Sequence, residues 1–115
     1  GFKIINKGCT ATGNMVHCDF DLLNEGEDTD LSIYTPRSTI QLPNQLMVVP
    51  RKIVLGDHAG DRRITTTVRA RQNIELSVIF LSSLPLSPDI PKVELVCYSN
   101  AYGTFNMTFL QIPIK

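Results

Sequence analysis

Cys9-Thr-Ala-Thr-Gly-Asn-Met-Val-His-Cys18, continued by Asp19-Phe20-Asp21-Leu22, decides the fold class of this 115-residue chain. Gly13-Asn14 stands at its centre, and a glycine at the first of two loop positions suits a type II′ turn, whose twist matches the flanking strands. A two-residue loop fixes the register, setting Thr12 opposite Met15, Ala11 opposite Val16, Thr10 opposite His17 and Cys9 opposite Cys18. Counted outward from a hydrogen-bonded closing pair, the cysteines fall on a non-hydrogen-bonded pair, where Cα atoms lie ~4.5 Å apart and a disulfide can close. Turn chemistry and cysteine spacing are separate signals, and both predict a disulfide-closed β-hairpin.

Outward from the hairpin, period-two alternation dominates and no helical stripe exceeds a turn or two. Val16, Cys18, Phe20 and Leu22 share one face, and His17, Asp19 and Asp21 share the other. Strict pairing with the preceding strand would put Lys7 on the buried face beside Phe20; a bulge at Lys7-Gly8 restores the phase and turns Phe2 and Ile4 inward. Asn24 to Asp30 reads as an acidic turn, Leu31 to Thr35 as a strand ended by Pro36, and Arg37 to Asn44 as a loop or irregular edge. Two apolar runs, Leu46 to Val49 and Lys52 to Leu55, lead to a polar turn at Gly56 to Asp61. Ile64, Thr66, Val68 and Ala70 form one inward row, and Ile74, Leu76, Val78 and Phe80 form the next. Leu84 to Pro91, with three prolines, is expected to be an extended connection rather than a central strand. Val93 to Tyr98 and Thr104 to Ile112 close the pattern, with an irregularity expected near Phe109-Leu110. Seven to eight short strands at this spacing predict an all-β antiparallel sandwich, with a closed barrel as the rival.

A chain of 115 residues makes one domain of ordinary size, and 43% hydrophobic with 19% charged residues argues for a packed core rather than disorder. Eleven basic and eleven acidic residues balance, which counts against a nucleic-acid partner. A Cys9–Cys18 bond implies an oxidising compartment and leaves Cys97 as a buried thiol on the face of Val93 and Leu95. No apolar run is long enough for a transmembrane segment and no signal peptide is visible, so the chain reads as a mature or excised fragment of a longer exported protein.

Cys9, the Thr12-Gly-Asn-Met-Val-His-Cys18 hairpin, Phe20, Asn24 followed by Gly-Glu-Asp-Thr-Asp, and the closing Phe109-Leu-Gln-Ile-Pro-Ile114 together carry a resemblance. The sequence resembles immunoglobulin-like domains of unknown function in bacterial, notably cyanobacterial, secreted and envelope proteins. The resemblance implies an immunoglobulin-like sandwich and a periplasmic or extracellular location. It implies no catalytic residues.

The residues favour no reaction. Only His17 and His58 could serve as a general base, no nucleophile elbow is present, and His17 falls on a solvent face between Thr10 and Asp19. Asp19, Asp21, Asp28 and Asp30 are hard oxygen ligands, but the glycine and glutamate that complete a calcium loop are missing. Cys9, Cys18 and His17 fall short of a four-ligand zinc site. Arg62, Arg63, Arg69 and Arg71 make a basic strip suited to an acidic polymer or to ion pairs with Asp19 and Asp21, and Tyr34, Tyr98 and Tyr102 are candidates for stacking on sugars.

The resulting expectation is a noncatalytic, cofactor-free interaction or spacer module of an exported protein. Its partner would be a protein, with a polysaccharide as the second choice, met by loops or an open sheet edge; the proline-interrupted stretch from Thr35 to Val49 is the edge expected, with the Asp57 to Arg63 turn completing the surface. The proposed surface comprises Tyr34, Arg37, Gln41, Asn44, His58, Arg62 and Arg63. A small carbohydrate- or calcium-binding sandwich is the alternative.

Overall fold

The computed structural model describes residues 1–82 and 89–115. The chain forms two antiparallel sheets packed face to face, an all-β sandwich. Eleven strands are present among the described residues, more than the seven to eight expected, because kinks and short hairpins divide the longer runs.

The founding hairpin forms as its turn chemistry dictates. Strand β1 (Phe2–Thr12) pairs with β2 (Met15–Asn24), and Thr12, Ala11, Thr10 and Cys9 face Met15, Val16, His17 and Cys18. Gly13 has φ +63 and Asn14 lacks a positive φ, as a type II′ turn requires. The disulfide closes between Cα atoms 4.0 Å apart. The bulge falls at Lys7, the residue skipped between Asn6↔Phe20 and Gly8↔Asp19. Gly8 supplies φ +91, and its N–H donates to Asn6 Oδ1 at 2.8 Å. Phe2 and Ile4 consequently pack against the core, and Ile5 faces solvent.

The other edge of β2 pairs with β9 (Asn73–Leu81), which pairs with β6 (Lys52–Leu55), and β7 (His58–Gly60) ends this sheet. The run Gly56 to Asp61, expected as a turn, thus contains a short strand. In the second sheet β10 (Asp89–Ser99) is central. One of its edges carries β11 (Gly103–Pro113); the other carries β3 (Thr29–Tyr34) at Cys97 to Ser99 and β4 (Thr39–Gln41) at Lys92 to Glu94. Beyond β3 lies β8 (Arg63–Val68), and beyond β4 lies β5 (Met47–Val48). The expected irregular edge at Arg37 to Asn44 therefore holds an interior strand, and β5 is the edge.

Strands β3 and β4 are one line broken by a 3-10 turn at Thr35–Arg37. Ser38 repairs the gap: its hydroxyl accepts from Val96 N–H at 3.2 Å and donates to the Tyr34 carbonyl at 2.9 Å. Asp89 to Pro91, expected in the connection, belong to β10, whereas the rest of that stretch lies outside the described residues. Pro91 is tolerated because β10 and β11 pair Ile90 with Ile112 and Lys92 with Leu110, leaving Pro91 out of the ladder opposite Gln111 at φ +50. The irregularity expected at Phe109-Leu110 lies here. Leu110 is exposed while Ile90 and Ile112 turn inward.

The inner faces meet at Phe20 and Phe109, one ring from each sheet, with centroids 4.0 Å apart. Asn24, fully buried, joins the ends of the sandwich. Its Nδ2 donates to the carbonyls of Glu27, Val68 and Arg69, and its Oδ1 accepts from Gly26 N–H. At the opposite end Lys115 N–H donates to the Cys9 carbonyl, so the last residue is tied to β1 beside the disulfide.

Candidate functional site

The expected surface residues divide into two groups. The first is a cluster at the kink between β3 and β4. Tyr34, at the end of β3, is paired with Arg63, at the start of β8. The Arg63 guanidinium carbon stands 5.5 Å from the Tyr34 ring centroid and that of Arg37, in the 3-10 turn, 5.7 Å. Two cations thus share one aromatic ring, an arrangement favoured by the ring quadrupole. Arg63 is held further by Ser32, whose hydroxyl oxygen accepts from Nε and Nη2 at 3.3 Å each and also meets Thr65 Oγ1 at 2.8 Å. The Arg62 carbonyl accepts from Thr35 N–H, which anchors the turn to the neighbouring strand. Arg62, Arg63 and His58 line one shallow depression of about 250 Å³ along the β7–β8 connection. Tyr34, Arg37, Arg62, Arg63 and His58 are therefore contiguous through Arg63.

Gln41 and Asn44 form the second group, on the β4–β5 hairpin. Gln41 is opposite both Lys92 and Met47, and Asn44 Oδ1 accepts from Leu46 N–H at 3.2 Å near the left-handed Gln45. Leu46, Met47 and Val49, which fall in the Thr35 to Val49 stretch expected as the open edge, are 50%, 51% and 52% exposed. The register Ile40↔Val48 carries Val49 back toward Ser38 and the arginine cluster, so the two groups adjoin.

The other candidates do not converge. Arg69 and Arg71 lie beyond β8, Arg71 with φ +63, so the four arginines do not form one strip. Ala70 is exposed rather than part of the inward row. Asp19 and Asp21 belong to the opposite sheet from Arg63 and have other partners: Asp19 accepts from Ser77 Oγ at 2.6 Å, and Asp21 is 3.1 Å from Lys7 Nζ. That contact to Asp21 raises the Lys7 pKa above its ordinary value. Asp28 accepts from Ala70 N–H, and Asp30 accepts from Thr67 and Asn100. Among the described residues no three metal-ligating side chains group together. Tyr102 packs edge-on against Phe2 at 6.0 Å, away from Tyr34.

His58 also borders a depression of about 270 Å³ with Asp57, Glu75, Thr66 and Thr67. His17 is exposed opposite Thr10 and Ile79. Cys97 is buried in the core as expected, and desolvation pushes its thiol up to about 12, away from the thiolate that nucleophilic chemistry needs.

These observations define an all-β sandwich with a disulfide-closed hairpin in one sheet and an arginine-rich corner on the other. No helix among the described residues is long and apolar enough to cross a membrane. No protein-family model matches the chain, and no curated protein matches it at a significant level.

Proposed function

We propose that this chain is an immunoglobulin-like, noncatalytic interaction module of an exported bacterial protein, meeting a protein partner at the β5 edge and the adjoining arginine corner. The single observation that carries this reading is the adjacency of an apolar strand edge, unpaired among the described residues, to a cluster of exposed cations. Open edges bind extended segments through main-chain hydrogen bonds, and a rim of charge sets orientation and specificity.

The immunoglobulin-like assignment is supported by strand order. Taking β1, β2, β6 and β9 as A, B, D and E, and β3, β10 and β11 as C, F and G, one sheet runs A-B-E-D and the other C-F-G. The chain departs from antibody domains in having no tryptophan and in placing its disulfide within one sheet. Export is supported by that disulfide, which persists in oxidising compartments.

A photo-crosslinking residue at position 47, in place of Met47, tests the reading in periplasmic or culture-supernatant extracts. A discrete adduct, identified by mass spectrometry and missing when the same probe replaces His17 on the opposite sheet, is expected. Equal adducts from both positions, or none from position 47, contradict it.

A further inference from the structure

We propose that the segment received at this corner is an extended, acidic stretch of polypeptide, which adds a strand to the open edge of β5 and sets a carboxylate against the Arg37–Tyr34–Arg63 cluster. The proposal rests on the preceding reading of the corner as the interaction surface and names the chemistry of its occupant.

Charge supplies the first argument. The ion pairs among the described residues join Lys7 to Asp21 and Glu75, and Lys92 to Glu94; Arg37, Arg62 and Arg63 have no carboxylate in ion-pair range. All three are exposed. Arg63 spends Nε and Nη2 on the buried Ser32 hydroxyl, which fixes the guanidinium plane and leaves its other N–H groups to donate outward. A guanidinium pre-set in this way offers a planar fork that a carboxylate fills with paired charge-assisted hydrogen bonds.

The edge supplies the second. Among the described residues strand β5 pairs only with β4, leaving its outer backbone groups without a ladder partner there, and Met47 and Val49 stand exposed where alternate side chains of an added strand would lie. A polypeptide uses that ladder; a glycan has no such row of donors and acceptors. The Tyr34 ring, covered by both guanidiniums, also gives a sugar less bare aromatic face to stack on. The two features together select a segment that alternates apolar and acidic residues.

Fluorescence anisotropy with a fluorescein-labelled octapeptide of alternating valine and glutamate tests this, with the valine–lysine octapeptide as the control. The valine–glutamate peptide is expected to bind at least about tenfold more tightly, to weaken with salt, and to lose about tenfold or more in R37E/R63E, which instead gains the lysine peptide. Because Arg63 also donates to the Ser32 hydroxyl, thermal unfolding of the variant is compared with the parent first; if R37E/R63E fails to fold, R37Q/R63Q with the same probes takes its place. Equal binding of the two peptides, or indifference to the arginine variants, overturns the proposal. Displacement of the peptide by soluble polygalacturonate or by phosphatidylglycerol vesicles, with these binding more tightly than the peptide, overturns it in favour of a polysaccharide or a lipid surface. Absence of peptide binding while the position 47 crosslinker still captures a discrete protein overturns the acidic strand and leaves the interaction surface standing; loss of the crosslink as well removes that surface.

Discussion

The hairpins β1–β2 and β4–β5 are both antiparallel and are joined by short turns, yet the chain treats them in opposite ways. The first has ten aligned pairs, a disulfide, a bulge capped by Asn6 and a second strand laddered along its length by β9. Its outward charges are matched, Lys7 with Asp21 and Asp19 with Ser77. The second has two aligned pairs, a left-handed Gln45 and three exposed apolar side chains beside three arginines with no carboxylate partner among the described residues. Close by, the hydroxyl of fully buried Thr35 has no hydrogen-bond partner among the described residues. Stability is concentrated where the ladder is long and closed. The corner with few internal partners is where an external one can be accommodated.

The largest expected effect comes from breaking the closed half. Phe20→Ala removes a ring stacked on Phe109 between the sheets and should cost about 3–5 kcal/mol in urea unfolding. Reducing Cys9–Cys18, or replacing both cysteines by alanine, should cost about 2–3 kcal/mol, because the closed loop is short. Unchanged stability in reductant would remove the asymmetry between the hairpins.

A smaller effect follows pH. Burial holds the Cys97 thiol at about 12 against an ordinary 9.0, so the thiol stays protonated in the folded chain while the unfolded chain ionises. Its contribution is complete below pH 9 and is lost as pH rises toward 12, falling by about 1 kcal/mol between pH 8 and 10. Unfolding of the parent and of Cys97→Ala over that range should differ in slope accordingly. Iodoacetamide at pH 8 should label Cys97 slowly until urea is added. The smallest effect sharpens the contrast from the other side: Thr35→Val replaces a buried, unpartnered hydroxyl by a methyl of similar shape and should gain about 0.5–1 kcal/mol. A loss there would mean the hydroxyl has a role in the kink.

Local signals made the closed half legible. Gly13-Asn14 and the spacing of Cys9 and Cys18 specify register within one hairpin, and the strict alternation from Ile74 to Phe80 needs no knowledge of its partners. The second sheet was harder to read because its organisation depends on remote pairing. Pro91 suggested a connection, and only the gap in the β10–β11 ladder opposite Gln111 admits it to a central strand. Pro36 correctly ended β3, but nothing nearby signals that Ser38 would bridge the break and let β4 continue along β10. The surface residues fared likewise. Tyr34, Arg37 and Arg63 stood out individually as polar or aromatic residues at strand ends, whereas their convergence comes from the β3–β8 register. Leu46, Met47 and Val49 lie in the stretch from Thr35 to Val49 that the prolines mark as an edge, but which of its side chains stand exposed depends on the β4–β5 register.

Amide hydrogen exchange, followed by mass spectrometry on the oxidised protein, tests the division between the two halves most directly. Slow exchange, approaching the global unfolding limit, is expected in Val16 to Leu22 and Ile74 to Phe80, with fast local exchange from Gln41 to Val49 that slows when the valine–glutamate peptide binds. Equal protection of the two hairpins, or protection on peptide binding that falls on β1 and β2 instead, would contradict it.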